Sequence, residues 1–206
     1  MPGSKAVCCG GSAKEIKKYK RLCPAGIIQT PVGEIPVVPA KLSIIDVAEN
    51  FFARLGLGRM AHAVKPGLYA AGDPDINSVV LVSANYKMSF DALRKELTGI
   101  DAWILVLDTK GVNVWCAAGK GTFGTQELIN RIKASKLDSV VLHRNLVVPQ
   151  LGAPGIAAHI VRKYSGFKVV YGPVEARDIK TFLDNGMRIE DRKRQVEFGL
   201  AKRMEV

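Results

Sequence analysis

From residue 78 onward, continuous apolar runs alternate with stretches in which apolar residues recur every three or four positions. The runs are 78–85 (SVVLVSAN), 102–109 (AWILVLDT), 139–143 (SVVLH) and 167–174 (FKVVYGPV). Each is short, rich in β-branched residues and apolar on both faces, the pattern of a strand buried in a parallel sheet. The stretches between them, 89–99, 125–135, 155–166 and 176–186, carry the helical period. Ser89 reads as an N-cap and Gly99 as a stop. Thr125 opens an incomplete capping box, because Glu127 falls at the second helical position rather than the third. Ahead of this alternation, 30–40 (TPVGEIPVVPA) is punctuated by proline and reads as an edge strand or a strap. Residues 43–56 form a helix with Ile44, Val47, Phe51 and Leu55 on one stripe, and 65–78 reads as loop with a Gly-Asp-Pro-Asp turn. A short late strand at 195–200 would pair with the strap. The pattern predicts an α/β class: a Rossmann-like, mostly parallel sheet with helices on both faces. Residues 1–28 read as a flexible basic leader and 29–206 as the α/β domain.

The predicted strands end in small or polar residues: Ser83-Ala84-Asn85, Asp108-Thr109, His143-Arg144-Asn145 and Gly172-Pro173. Ligands of open α/β sheets bind outside the carboxyl ends of the strands. One such end leads into 108–125, DTKGVNVWCAAGKGTFGT. Gly111 breaks the strand, Asn113 is a good N-cap, and a short helix over 114–118 would end at Gly119. Cys116 then lies in the first turn, where backbone amides favour a thiolate, with Lys120 a nearby positive charge. A thiolate placed there is a ligand or a nucleophile. No second Cys or His stands at chelate spacing, which argues against zinc. A single thiolate ligand to a metal already held by a macrocycle stays open. So does nucleotide binding, since Gly119 to Gly124 spells G-x-G-x-x-G. That fingerprint follows its strand about ten residues late, and the next strand end offers His143 and Arg144 instead of an acidic group for a ribose.

Composition changes the picture in three ways. The 206 residues are 48% hydrophobic, enough for one sizeable core. The net charge of +11 concentrates at 14–21 and 188–195, which read as solvated tails or as attraction to an acidic partner or an anionic membrane. Aromatic residues do not alternate with the basic ones, so a nucleic-acid groove is not expected. Finally, no run reaches the ~18 apolar residues of a membrane span, and the first residues lack the apolar core of a signal peptide. Cys8, Cys9, Cys23 and Cys116 form no disulfide framework, which fits a reduced, cytoplasmic setting.

The segment NVWCAAGKGTFGT, 113–125, resembles the signature of the corrinoid protein of microbial mercury methylation. The likeness extends back to Val82, takes in 65–78, 148–155 (VPQLGAPG) and 171–179 (YGPVEARDI), and covers about residues 30–200. A more distant likeness is to the corrinoid iron–sulfur protein of the acetyl-coenzyme A pathway, which shares the corrinoid-binding domain. The resemblance implies a cobalamin-type corrinoid bound with its base off the cobalt and Cys116 as the lower axial ligand, on a helix that caps the corrinoid at the strand ends. It implies an enzyme in which methyl–cobalt(III) gives its methyl group to mercury(II). Asn113 would cap the helix, and Val114, Trp115, Ala117, Ala118, Gly119 and Lys120 would face the corrin. Ser83, Ala84, Asn85, Thr109, Pro149, Gly152, Gly172, Pro173 and Ala176, at predicted strand ends, are candidates for the tail pocket. Implied partners are a ferredoxin-like protein with two 4Fe–4S clusters as electron donor and a methyl-donor methyltransferase of the folate route. The family usually continues into a C-terminal membrane region, which would set it on the cytoplasmic face of the membrane; this sequence stops at Val206. Two alternatives stand beside this: a non-catalytic corrinoid carrier, and a nucleotide-binding enzyme using Gly119 to Gly124. Cys8 and Cys9 could capture mercuric ion, a soft metal, or be incidental thiols. His143 fits a hydrogen-bonded structural role better than ligation.

Overall fold

The computed structural model describes residues 19–20, 22–56 and 62–188; the expected strand at 195–200 and the Cys8–Cys9 pair lie outside them. One sheet has the order β1-β2-β3-β5-β4-β6-β7. Its strands are β1 Gly26–Thr30, β2 Gly33–Val37, β3 Gly67–Ala71, β4 Val79–Ala84, β5 Ala102–Leu107, β6 Asn145–Val148 and β7 Lys168–Tyr171. The neighbours β5, β4, β6 and β7 are parallel, as the unbroken apolar runs require. β2 also pairs parallel with β3, whereas β1–β2 and β3–β5 are antiparallel. This is the Rossmann-like, mostly parallel α/β architecture that the alternation predicts.

Side chains of a strand alternate between faces. Val80, Val82, Leu105 and Leu107 therefore enter one core with Phe123, Leu128, Ile132 and Val161. Leu81, Ile104, Val106 and Val147 enter a second with Phe90, Leu97, Ile179 and Phe182. Helices α3 Val114–Gly119, α4 Thr125–Ala134 and α5 Ala158–Ser165 cover the first face. Helices α2 Lys87–Arg94 and α6 Ile179–Asp184 cover the second, and α1 Ile44–Arg54 packs on α2.

Several elements depart from the sequence pattern. The third central strand is Asn145–Val148, not 139–143. Two apolar runs, VVL and LVV, straddle His143-Arg144-Asn145. The first follows a 3-10 turn, Leu137–Ser139, and buries Val140 and Val141 without joining the sheet, while Leu142 is exposed. His143 and Arg144 thus stand at the amino end of β6, opposite the ligand-binding end, and His143 Nε2 lies 2.9 Å from Ser78 O. β3 was hidden in a segment read as loop, because its small residues carry little β signal. β1 begins at Gly26, inside the segment read as leader. α2 starts at Lys87 behind Tyr86, so Ser89 is not its cap, and a 3-10 turn over Lys95–Leu97 intervenes before Gly99. α4 has no capping box: the Thr125 hydroxyl instead accepts from Ala157 N at 2.8 Å and tethers α4 to the start of α5.

α1 carries the largest surprise. Ser43 and Asp46 form its capping box, so the helix itself is legible. Its apolar stripe, however, faces outward: Ile44 is 89% exposed and Phe51 59%. The acidic side faces in. Lys87 Nζ lies 2.7 Å from both Asp46 Oδ1 and Asp91 Oδ2. Arg94 reaches Asp91 Oδ1 at 2.7 Å and Asp46 Oδ2 at 2.9 Å. Asn50 donates to Asp91 Oδ2 at 2.9 Å, and His62 Nε2 lies 2.9 Å from Asn50 Oδ1. Lys87, Asp91 and Arg94 are all buried. Pairing of buried charges, which leaves no periodic trace in sequence, sets the helix's orientation.

This network makes stability depend on pH. Burial, reinforced by the Lys87 charge, lowers the pKa of His62 below its ordinary 6.5. The unfolded chain therefore takes up a proton that the folded one resists, and stability falls as pH drops below about 6.5. Burial alone would raise Asp46, but hydrogen bonds from Lys87, Ser43 and Arg94 outweigh it and hold the carboxyl well below its usual range. That contribution is present above a pH of about 4 and is lost in stronger acid. Melting temperature followed from about pH 8 to about pH 3 should decline in two stages, and His62→Gln should abolish the upper one. Persistence of the upper stage in that variant would assign it to another group.

Candidate functional site

The strand order reverses at β4, with β5 on one side and β6 and β7 on the other. Connections leave such a switch point in opposite directions and open a crevice at the carboxyl ends of the strands. Here the β4–β6 ladder is confined to Leu81 and Val147. A cavity of about 330 Å³ lies at this point. Its floor is Leu81, Val82 and Ser83 of β4 with Val147, Pro149 and Leu151. Ser89, Ala92 and Leu93 of α2 form one wall, and Gly172 to Ala176 with Ile179 form another. Asn113, Val114 and Trp115, at the start of α3, close a third side.

α3 has six residues, too few to persist by propensity. Three contacts keep it in place. Asn113 Oδ1 accepts from Cys116 N at 2.9 Å, as an N-cap should. Ala117 and Ala118 are buried in the core. The carbonyl of Ala117 accepts from Thr122 N at 2.9 Å and from Phe123 N at 3.1 Å, turning the chain so that Phe123 enters the core. The glycines around it serve this packing. Gly121 has φ of +75°, and a Cβ on Gly155 would lie 2.1 Å from Phe123 O and 3.2 Å from Ala118 Cα. Gly152 would meet the Phe123 ring at 2.3 Å, and Gly124 would meet Gly121 O at 2.6 Å. The G-x-G-x-x-G residues thus join α3 to the core, and the turn and helix at 108–118 separate them in sequence from the end of β5 at Leu107.

The outer face of α3 shows Trp115, Cys116, Gly119 and Lys120 to solvent. Cys116 and Gly119, three positions apart, share that face, and a Cβ on Gly119 would meet nothing within 4 Å. A thiol therefore stands on a face that a flat group can approach closely. Of the residues singled out from sequence, Ser83, Asn113, Val114, Trp115, Pro149, Gly172, Pro173 and Ala176 line the cavity. Ala84, Asn85 and Thr109 are buried beneath it, and Gly152 packs on Phe123. Ala117 and Ala118, expected to face a corrin, are buried in the first core. The α2 wall was missed. Its signal was the position of α2 directly after the switch-point strand, where Ser89 had been read as a cap.

Asn113→Ala should remove a cap worth ~1 kcal/mol. The Cys116 amide should then exchange with solvent faster while the melting temperature barely moves. Unchanged exchange at Cys116 would mean that packing alone holds the helix.

These residues fit a corrinoid. A soft thiol sits on an open face beside a largely apolar cavity that can take a nucleotide tail. Gln150 Oε1, between the lining residues Pro149 and Leu151 in sequence, is buried with no partner among the described residues, an acceptor left open next to the cavity lining. Among the described residues no group of three or more His, Cys, Asp or Glu could hold a metal directly, and no helix is long and apolar enough to cross a membrane.

Residues 46–183 match the family of the CO dehydrogenase/acetyl-CoA synthase delta subunit. The acetyl-CoA decarbonylase/synthase complex subunit gamma of Archaeoglobus fulgidus is 33% identical over 123 residues, 59% of this chain and 26% of that protein. Its counterpart in Methanopyrus kandleri is 33% identical over 137 residues, 65% of this chain and 29% of that one. The corrinoid/iron-sulfur protein large subunit of Moorella thermoacetica is 28% identical over 121 residues, 58% and 27% respectively. The matches thus span only about a quarter of the length of these relatives, and the family match runs from within α1 to within α6 across every wall of the cavity.

Proposed function

The chain belongs to the family of the CO dehydrogenase/acetyl-CoA synthase delta subunit, and from that membership we propose that it is a corrinoid-dependent methyl-transfer domain with the Cys116 thiolate as lower axial ligand of the cobalt. The observation that carries this is the exposed Cys116, on a capped helix that walls a cavity at the switch point of the sheet. One of its relatives is, by name, a corrinoid/iron-sulfur protein. None of the relatives' names mentions mercury. Mercury(II) as methyl acceptor rests on the likeness of 113–125 to the mercury-methylation signature, and we adopt it on that ground.

When bound, a corrinoid supplies a cobalt centre that takes up and releases a methyl group. The protein's own part is orientation and charge. Cys116 must lose its proton to ligate, and its thiolate then donates electron density to the metal. Asn113 fixes the first turn, so the sulfur is presented on the outer face. Gly119 would leave room for a ring, and the largely apolar cavity would keep water from a nucleotide tail held there. Electrons would come from a ferredoxin-like protein with two 4Fe–4S clusters and methyl groups from a methyltransferase of the folate route.

The test is reconstitution with hydroxocobalamin. Base-off binding with thiolate charge-transfer bands, followed by methylation of mercury(II) from the methylated protein, is the expected result. Binding without transfer to mercury(II) would make the domain a carrier, and failure to bind would end the corrinoid reading.

A further inference from the structure

We infer that Asn85, with Thr109, is the positioning residue that sets the Cys116 helix in place before any cofactor arrives; its role at the metal rests on the reading of Cys116 as axial ligand. Asn85 follows the last residue of β4, and the ladder between β4 and β5 ends at the pair Ala84 and Leu107. Beyond that pair the side chain of Asn85 continues the pairing. Its Oδ1 accepts from Thr109 N at 3.1 Å, from the Thr109 hydroxyl at 2.8 Å and from Gly111 N at 2.9 Å. Its Nδ2 donates to Asp108 Oδ1 at 3.3 Å. The single hydroxyl proton of Thr109 is shared with Val112 O, 2.6 Å away. Val112 adjoins Asn113, the cap of Cys116. A continuous set of bonds thus runs from the end of β4 to the thiol-bearing turn.

Two features make this set necessary. Both Asn85 and Thr109 are buried, so any donor released there would lack water as a substitute. Between the two amides that Asn85 holds lies Lys110, a non-glycine residue at φ of +60°. Such a conformation is disfavoured for any residue but glycine and persists only where its surroundings impose it. Lys110 N also donates to Asp108 Oδ1 at 3.1 Å and Val112 N to Thr109 O at 3.2 Å, so loss of the Asn85 acceptor would loosen the turn over residues 109–113 and with it the start of the helix. Asn85 therefore acts through the helix and does not itself line the cavity.

Hydrogen exchange of the cofactor-free protein tests the positioning directly. In Asn85→Ala the amides of Thr109, Gly111 and Cys116 should exchange about tenfold faster, while those of β6 and β7 keep their rates. After loading with hydroxocobalamin, the amount bound should hold while the thiolate-ligated fraction falls by about tenfold. Thr109→Val should move the same signals less, and Thr109→Ser should restore them. That pair decides the matter if Asn85→Ala does not fold. Faster exchange at Thr109 and Gly111 with an unchanged Cys116 amide and unchanged ligated fraction would overturn the inference. Wild-type protein that binds hydroxocobalamin without thiolate ligation would instead defeat the role of Cys116, and the exchange rates would still decide whether Asn85 places the helix.

Discussion

Cys116→Ala should keep its corrinoid and lose its chemistry. The thiol is exposed and donates to no core group, so its removal should change stability by no more than ~0.5 kcal/mol. Most of the cavity wall comes from β4, α2 and the loops after β6 and β7, and the α3 residues that close its third side, Asn113 to Trp115, keep their own side chains in the variant. Binding of hydroxocobalamin should therefore survive. The charge-transfer bands of thiolate ligation should vanish, and methyl transfer should fall by about 100-fold or more, at the upper end of what perturbing a metal's ligand environment costs. Cys116→His separates the presence of a ligand from its charge. Neutral imidazole restores coordination without equal donation to cobalt, so its spectrum should again shift from the alanine form while turnover stays low. The deciding measurement is the visible spectrum of Cys116→Ala beside wild type with the same bound corrinoid. Identical spectra would remove Cys116 from coordination and the mechanism with it, whatever the fold.

The largest loss of stability should follow Asp91→Ala. Asp91 is buried and accepts from Lys87, Arg94 and Asn50 at once. Its removal leaves two buried cations facing each other with only Asp46 between them, plus a half-buried Glu49 3.8 Å from Lys87. Breaking a buried ion pair in this way costs about 3–5 kcal/mol. Urea unfolding should show that loss as a lower midpoint with little change in slope. Adding Lys87→Met to Asp91→Ala should recover part of it, since an apolar group needs no partner. A single variant within ~0.5 kcal/mol of wild type would show that the network contributes nothing net.

Period and run length made the central sheet legible, because burial on both faces keeps charged residues out of β4 and β5. The same rule misplaced β6, where two apolar triplets compete and only pairing with β4 and β7 chooses between them. In the site, Asn113 and Cys116 were legible because a cap bonds within its own turn. Asn85, a tail-pocket candidate by its place at a strand end, does not line the cavity, and its partners lie 23 to 26 positions away, beyond what any local pattern records. The inversion of α1 was illegible for the same reason, since Lys87 and Asp46 are 41 positions apart.

That inversion gives α1 an unusual response to its solvent. The ion pairs that orient it run from the buried Lys87 and Arg94 to the largely buried Asp46, so mobile ions screen them weakly, whereas ordinary surface pairs fade beyond a Debye length of about 8 Å at physiological salt. Its outward strip of Ile44, Ile45, Val47, Phe51 and Phe52 responds in the other direction, because sulfate and phosphate strengthen apolar association. Raising such a salt therefore leaves the helix seated while making its surface more adhesive. Salting-out should therefore begin at this helix face, with the fold intact.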